Sequence, residues 1–128
     1  MREIKFRAWC LDHKCMDDDF YIRSSGVVYE SANRTYDTPN IEIEENPNLI
    51  VMQFTGLQDK NGVDIYEGDV VKKESNICEV IFSKKAAKFC VRLPSHQWHG
   101  VVKKVYSISG VEVIGNIYQN PELINNNV

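Results

Sequence analysis

The chain lacks several features that would define a function directly. Its 128 residues contain no run close to the ~20 apolar residues that a membrane-spanning helix needs. Met1-Arg2-Glu3 leads into a strand pattern without the apolar core of a signal peptide, so we expect a cytoplasmic protein. The chain has neither a GxxxxGK nor a GxGxxG phosphate loop, and no catalytic signature. We therefore predict a protein that is not an enzyme and binds no cofactor.

Cysteines are few, and none lies in a CxxC motif. The four are Cys10, Cys15, Cys78 and Cys90. In a reducing compartment we expect free thiols. Cys10, His13 and Cys15 form the one cluster with metal-ligand chemistry, but zinc would need a fourth ligand such as His96 or His99. Because this spacing is irregular, buried thiols and a turn histidine are favoured over a metal site.

The stretch from Met52 to Val71 carries the strongest structural pattern. Residues 51–55 alternate as a strand does, and Asn61-Gly62 then gives a strong hairpin signal because both residues tolerate positive φ. Gly68 between two acidic residues favours a second tight reversal before another β-branched strand begins. Closely spaced reversals of this kind predict a small, strongly bent β-barrel.

Other segments predict short strands and little helix. Ile4, Phe6 and Ala8 alternate with polar or aromatic residues, so we expect the first strand to have one buried face. Residues 31–48 are rich in Asn, Asp and Pro, which indicates a flexible insert. We expect a mainly β protein with an N-terminal β extension over residues 1–48 and the barrel over residues 49–128, or one integrated domain.

The end of the chain predicts three local features. Residues 101–108 and 111–118 are typical of a final hairpin that turns at Ser109-Gly110. Gly115-Asn116 inside the last strand indicates a bulge or a bend. Asn120-Pro121 then favours one helical turn.

Three segments of the chain resemble the YopX family of phage and prophage proteins. They are MREIKFRAW at residues 1–9, TGLQDKNGVDIYEGDVV at residues 55–71 and VIGNIYQNPEL at residues 113–123. Residues 24–48 and 73–110 carry no matching motif. The resemblance implies a mainly β fold with an SH3-like barrel in the C-terminal part, a phage-infected or lysogenic bacterial host and self-association. It implies no established activity and no catalytic residues.

Charge is unevenly distributed along the chain. Residues 1–49 hold six basic and ten acidic side chains, whereas residues 50–128 hold nine and eight. The segment from Lys72 to Lys104 has eight basic and two acidic side chains, and beside Trp98 it is a candidate surface for nucleic acid. Its candidate binding residues are Lys72, Lys73, Lys84, Lys85, Lys88, Arg92, Trp98, Lys103 and Lys104. The alternative is that these lysines stay in water and protect sheet edges from pairing.

The loop PSHQWHG carries the chain's other functional candidates. His96 and His99 are possible acid–base groups, with a carboxylate partner among Asp64, Glu67 and Asp69. Because no nucleophile or carboxylate lies nearby in sequence, a barrel loop whose tryptophan covers the core is favoured.

Three functions therefore remain, in order of preference. The first is a non-enzymatic phage accessory protein that acts by protein–protein contact, as a homo-oligomer or with a phage or host protein. The second is a nucleic-acid-binding module that uses the basic segment. The third is a small enzyme that acts through His96 or His99.

Overall fold

The structure, a computed structural model, describes residues 2–31, 43–94 and 105–125. Within these residues the chain forms twelve β-strands and a 3-10 helix, so the predicted mainly β fold with little helix is confirmed. No helix in this part of the chain is long and apolar enough to span a membrane. Contacts divide the chain into a smaller unit, Arg7–Met52, and a larger unit, Met1–Phe6 with Gln53–Val128. The predicted domain division after residue 48 stays a prediction.

The smaller unit is built from short antiparallel strands. They are β1 (Phe6–Cys10), β2 (Cys15–Asp17), β3 (Phe20–Ile22), β4 (Val28–Ser31), β5 (Ile43–Glu45) and the beginning of β6 (Leu49–Gln58). β1 pairs with β2, and β3, β4 and β5 form a three-stranded sheet. Its core contains Ala8, Cys10 and Leu49, with partly buried apolar side chains packed against them.

Strand β1 corrects the predicted alternation at the N-terminus. Ile4 and Phe6 are exposed, whereas the consecutive residues Ala8, Trp9 and Cys10 are all buried. Successive side chains of a strand point to opposite faces, so burial of three in a row means that both faces of β1 are covered there. The prediction of one apolar face assumed a strand with one side in water and was wrong for this reason.

The larger unit contains the remaining strands. They are the later part of β6, then β7 (Asp64–Tyr66), β8 (Asp69–Lys73), β9 (Asn76–Ser83), β10 (Lys88–Arg92), β11 (Val105–Tyr106) and β12 (Val111–Asn116). β6 and β7 are antiparallel, with Gly62 at φ 81° in the turn between them. Gly68 adopts φ 88° directly before β8. Both predicted reversals of the stretch from Met52 to Val71 are therefore confirmed.

Five strands of the larger unit form one antiparallel sheet in the order β11-β10-β9-β8-β12. This order corrects the predicted final hairpin across Ser109-Gly110. The two strands flanking that turn pair with β10 and β8, at opposite edges of the sheet, and not with each other. Gly110 does adopt φ 70°. The turn was recognised, but strand pairing is set by distant partners that local turn chemistry does not reveal.

The short connection between β11 and β12 requires the sheet to curl. Five residue steps separate Tyr106 from Val111, and a fully extended chain covers about 18 Å in that number. The first and fifth strands of a flat sheet would lie about 19 Å apart. The sheet is therefore bent into a curled half-barrel around its core. The SH3-like closure that the resemblance implies stays a prediction.

Side chains of this sheet, together with Ile65 and Ile108, form the core of the larger unit. Its buried members are Ile65, Val71, Cys78, Val80, Val91, Ile108 and Val111. A register shift between Val113 and Gly115 confirms the predicted bulge in β12, and the 3-10 helix Pro121–Leu123 confirms the predicted helical turn.

Asp59 links the β6–β7 turn to β12 through hydrogen bonds. Its Oδ1 accepts the backbone N–H groups of Asn61 and Val63 at 2.8 and 2.9 Å, and its Oδ2 accepts that of Val113 at 2.9 Å. The Lys60 N–H also donates to the Val111 carbonyl at 3.3 Å. These contacts cover the outer edge of β12 with another part of the same unit.

Candidate functional site

The basic side chains predicted to bind nucleic acid are dispersed by the fold. Trp98, Lys103 and Lys104 lie outside the described residues, as do His96 and His99. Lys84, Lys85 and Lys88 are exposed and lie at the turn between β9 and β10. Lys72, Lys73 and Arg92 lie elsewhere on the sheet.

Two of those three side chains have partners within the protein. Lys73 Nζ donates a hydrogen bond to the Ser107 carbonyl. Arg92 Nη2 lies 3.5 Å from Glu79 Oε1, an ion pair between neighbouring strands. Lys72 is exposed and occupies the register position opposite Glu112 in the pairing of β8 with β12. The candidate surface from Lys72 to Lys104 stays a prediction, and the β9–β10 turn is the described part of it in which three exposed lysines follow one another closely.

The β9–β10 hairpin tip, defined here as residues 82–89, has a fixed local structure. The Ala86 N–H donates to Ser83 Oγ at 3.1 Å, and Ala87 adopts φ 54°. Phe82 and Phe89 are cross-strand partners whose ring centroids lie 5.3 Å apart with an interplanar angle of 73°. Such edge-to-face contacts stabilise the relative orientation of two rings. The hairpin tip therefore presents an aromatic side chain beside three lysines.

The β11 edge is the second candidate surface. Among the described residues β11 pairs only with β10, and Val105 and Tyr106 are 42% and 41% exposed. Natural edge strands usually carry a charge, a proline or a covering segment that prevents pairing with another chain. Val105 and Tyr106 provide neither charge nor proline. The opposite edge, at β12, is covered by the contacts of Asp59 and Lys60.

A cavity of about 210 Å³ lies next to the β11 edge. Its lining, among the described residues, comprises Lys73, Glu74, Asn76, Cys78, Leu93 and Tyr106. Pockets for drug-sized ligands occupy about 300–1,000 Å³, so this cavity is below the size of a typical cofactor site.

The carboxylates proposed for an enzymatic site have structural partners. Lys5 Nζ lies 2.6 Å from Asp64 Oδ2, and this contact lowers the pKa of Asp64 while it raises the pKa of Lys5. Asp69 is buried, and its Oδ2 accepts the Tyr66 N–H at 2.8 Å. Both aspartates therefore hold turns or strands in place. Their relation to the predicted catalytic histidines falls outside the described residues.

Glu67 belongs to a different environment. Burial, and secondly the nearby charge of Glu79, raises the pKa of its carboxyl group. Burial also raises the pKa of the Tyr118 hydroxyl, with the charges of Glu67 and Glu79 contributing in the same direction. Glu67, Glu79 and Tyr118 therefore form a partly buried cluster of two carboxyl groups and a phenol.

None of the four cysteines forms a disulfide. Cys10, Cys78 and Cys90 are buried and Cys15 is exposed. Burial raises the pKa of the Cys78 and Cys90 thiols, which makes them poor nucleophiles. Within residues 2–31, 43–94 and 105–125, no three His, Cys, Asp or Glu side chains lie where they would hold a metal ion. The Cys10, His13 and Cys15 cluster is therefore not assembled as a ligand set.

Two features of these surfaces were missed from the sequence. The exposure of Phe82 was not predicted, although its place beside Ser83-Lys84-Lys85 signals the end of a strand, where side chains are exposed. The exposure of Val105 and Tyr106 had no such signal, because it depends on which strands occupy the sheet edges.

Together these observations define a mainly β protein of two units in which Asp59, Asp64 and Asp69 are engaged in turns or an ion pair. The chain belongs to the YopX family, whose model matches residues 5–125, and the resemblance found in the sequence is confirmed. Two solved structures are similar over nearly the whole chain, protein EF1440 of Enterococcus faecalis and YopX of Bacillus subtilis. Each is 26% identical, with TM-scores of 0.59 and 0.56, and each alignment covers 98% of this chain and 100% of the other. A comparison with curated proteins gave no match.

Proposed function

We propose that this protein is a non-enzymatic assembly module that forms homo-oligomers by pairing the β11 edge of one copy with the β11 edge of another. The observation that carries the proposal is an uncharged edge strand with two exposed apolar side chains, Val105 and Tyr106, and a partner on only one described side. Membership of the YopX family supports the self-association and the phage or prophage setting that the resemblance implies, and the cytoplasmic location is part of the same proposal.

A second copy of the chain is the occupant best suited to this edge. An antiparallel pair of identical strands is a self-complementary interface with two-fold symmetry. Because Val105 and Tyr106 carry no charge, two copies meet there without repulsion between these residues. Main-chain hydrogen bonds would supply affinity, and the two exposed side chains would bury apolar area on pairing.

Light scattering coupled to size exclusion tests the proposal. The unmodified protein should elute as an oligomer at micromolar concentration, and Val105→Lys should shift it to a monomer because an edge lysine opposes strand pairing. Val63→Lys is the matched control, since Val63 is 46% exposed, lies in the β6–β7 turn region and should leave the mass unchanged. A monomeric unmodified protein, or equal effects of the two lysines, would overturn the proposal.

A further inference from the structure

The β9–β10 hairpin tip differs in charge from the rest of the chain. It contains three lysines and no acidic residue, whereas the whole chain has a formal net charge of −3. None of Lys84, Lys85 and Lys88 has an ion-pair partner among the described residues. A local cationic site on an acidic protein attracts a polyanion at that site and not over the surface in general.

The same tip presents aromatic surface. Phe82 is 44% exposed although it lies in a strand of the five-stranded sheet. Its contact with Phe89 holds the ring in a defined orientation. Between the lysines, Ala86 and Ala87 are small and exposed, so an extended ligand meets little steric obstruction there.

We propose that the hairpin tip binds single-stranded nucleic acid, with Lys84, Lys85 and Lys88 on the phosphates and Phe82 stacked on an unpaired base. Stacking of bases on aromatic side chains beside a cationic backbone contact is the general mode of binding to single strands without sequence preference. A paired duplex offers no free base to Phe82. This role is independent of the β11 edge.

A membrane surface is the other partner that lysines and an exposed ring can attract. Stable attachment to a bilayer generally requires two signals, such as an acyl chain with a basic cluster or a large apolar helix face. The hairpin tip supplies one half-exposed ring and three lysines. This small apolar area favours a single base as the occupant.

Fluorescence anisotropy with a labelled oligothymidylate of about 15 nucleotides tests the lysines. Replacing Lys84, Lys85 and Lys88 together by Gln should weaken binding at low salt. It should also reduce the slope of log affinity against log salt by about 2, since each single-strand phosphate contact contributes about 0.7. The matched control replaces Lys14, Lys60 and Lys72 by Gln, because these lysines are exposed and none of them belongs to the hairpin tip. This control should keep both affinity and slope.

Two substitutions of Phe82 test the stacking contact. Phe82→Leu should lower the affinity about tenfold, whereas Phe82→Tyr, which keeps an aromatic face, should retain it. Both variants should keep the far-ultraviolet circular dichroism of the unmodified protein, because this side chain is half exposed.

Three outcomes would overturn the proposal. They are no binding of the oligonucleotide at low salt, equal losses in the two triple-lysine variants, and equal affinities of Phe82→Leu and Phe82→Tyr. Vesicles that contain phosphatidylserine serve as the competing partner. Retention of the protein on these vesicles without binding to the oligonucleotide would assign the tip to a membrane surface instead.

Discussion

Asp59 shows how one short side chain fixes the position of a turn. Its carboxylate accepts three backbone N–H groups, two within the β6–β7 turn and that of Val113 in β12. The hydrogen bond from Val113, and further those from Val63 and Asn61, lowers the pKa of Asp59. The hydrogen bond from Val113 links residues 54 positions apart, so it has no local signal in the sequence.

The pH dependence of stability tests this role of Asp59. A carboxylate whose pKa is lower in the folded state stabilises the protein above its unfolded pKa, about 3.9, and loses that contribution as the pH falls through the folded value. We expect Asp59→Asn to lower the thermal midpoint at neutral pH and to flatten its decline below about pH 4. Thermal unfolding over a pH series measures both effects.

Asp18→Asn is the control for this series. Asp18 is exposed and makes no hydrogen bond among the described residues, so its change should leave the midpoint unaltered. The role assigned to Asp59 is wrong if Asp59→Asn behaves as Asp18→Asn does.

Residue patterns did not predict which side chains of a strand are buried. In β9 buried Cys78 and Val80 alternate with partly exposed neighbours, although residues 77–82 are a nearly continuous apolar run broken by Glu79. In β1 the predicted alternation is absent, because Ala8, Trp9 and Cys10 are buried together. The sequence does not say which strands are covered on both faces, since that depends on what packs against them.

At the scale of the elements, β12 carries a steric requirement at Gly115. A Cβ atom added to Gly115 would lie 2.5 Å from Asn120 Oδ1 and 2.9 Å from Leu123 Cδ1. Asn120 Oδ1 is held there because it accepts the Asn116 N–H at 3.3 Å. A side chain at position 115 would therefore displace Asn120 and Leu123, where the bulge of β12 meets the segment that leads into the 3-10 helix.

Gly115→Ala should destabilise the protein by about 1–2 kcal/mol, through overpacking and loss of the Asn116–Asn120 hydrogen bond. Chemical denaturation measures the change. In an Asn120→Ala background the obstructing oxygen is absent, so the additional cost of Gly115→Ala should be smaller. An unchanged unfolding free energy for Gly115→Ala alone would show that the bulge has room for a side chain.

The sequence predicted most of the strands and turns, but only part of the strand pairing. Turn residues such as Gly62 and Gly68 lie at positive φ, so the sequence located both reversals. β11 and β12 were assigned to one hairpin because Ser109-Gly110 is a good turn, yet they occupy opposite edges of the sheet. The reason is that apolar side chains from both sides of this turn, Ile108 and Val111, enter the same core.

At the scale of the whole molecule, the sequence predicted the family and the mainly β fold but not the arrangement of its surfaces. The basic segment is continuous in sequence, whereas in the structure Lys73 and Arg92 have partners, Lys72 lies in β8, and Lys84, Lys85 and Lys88 lie together at the hairpin tip. Strand order separates these groups, and strand order is a property of distant contacts.

The central claim is that β11 of one copy pairs with β11 of a second copy. The most direct test is hydrogen exchange measured by mass spectrometry at two protein concentrations. Amides of residues 105–110 should exchange more slowly at the concentration where the oligomer forms, because strand pairing protects backbone N–H groups. Those of residues 111–116, whose edge is already covered within the chain, should exchange equally at both. Equal exchange of residues 105–110 at both concentrations, in a protein that does associate, would contradict the account.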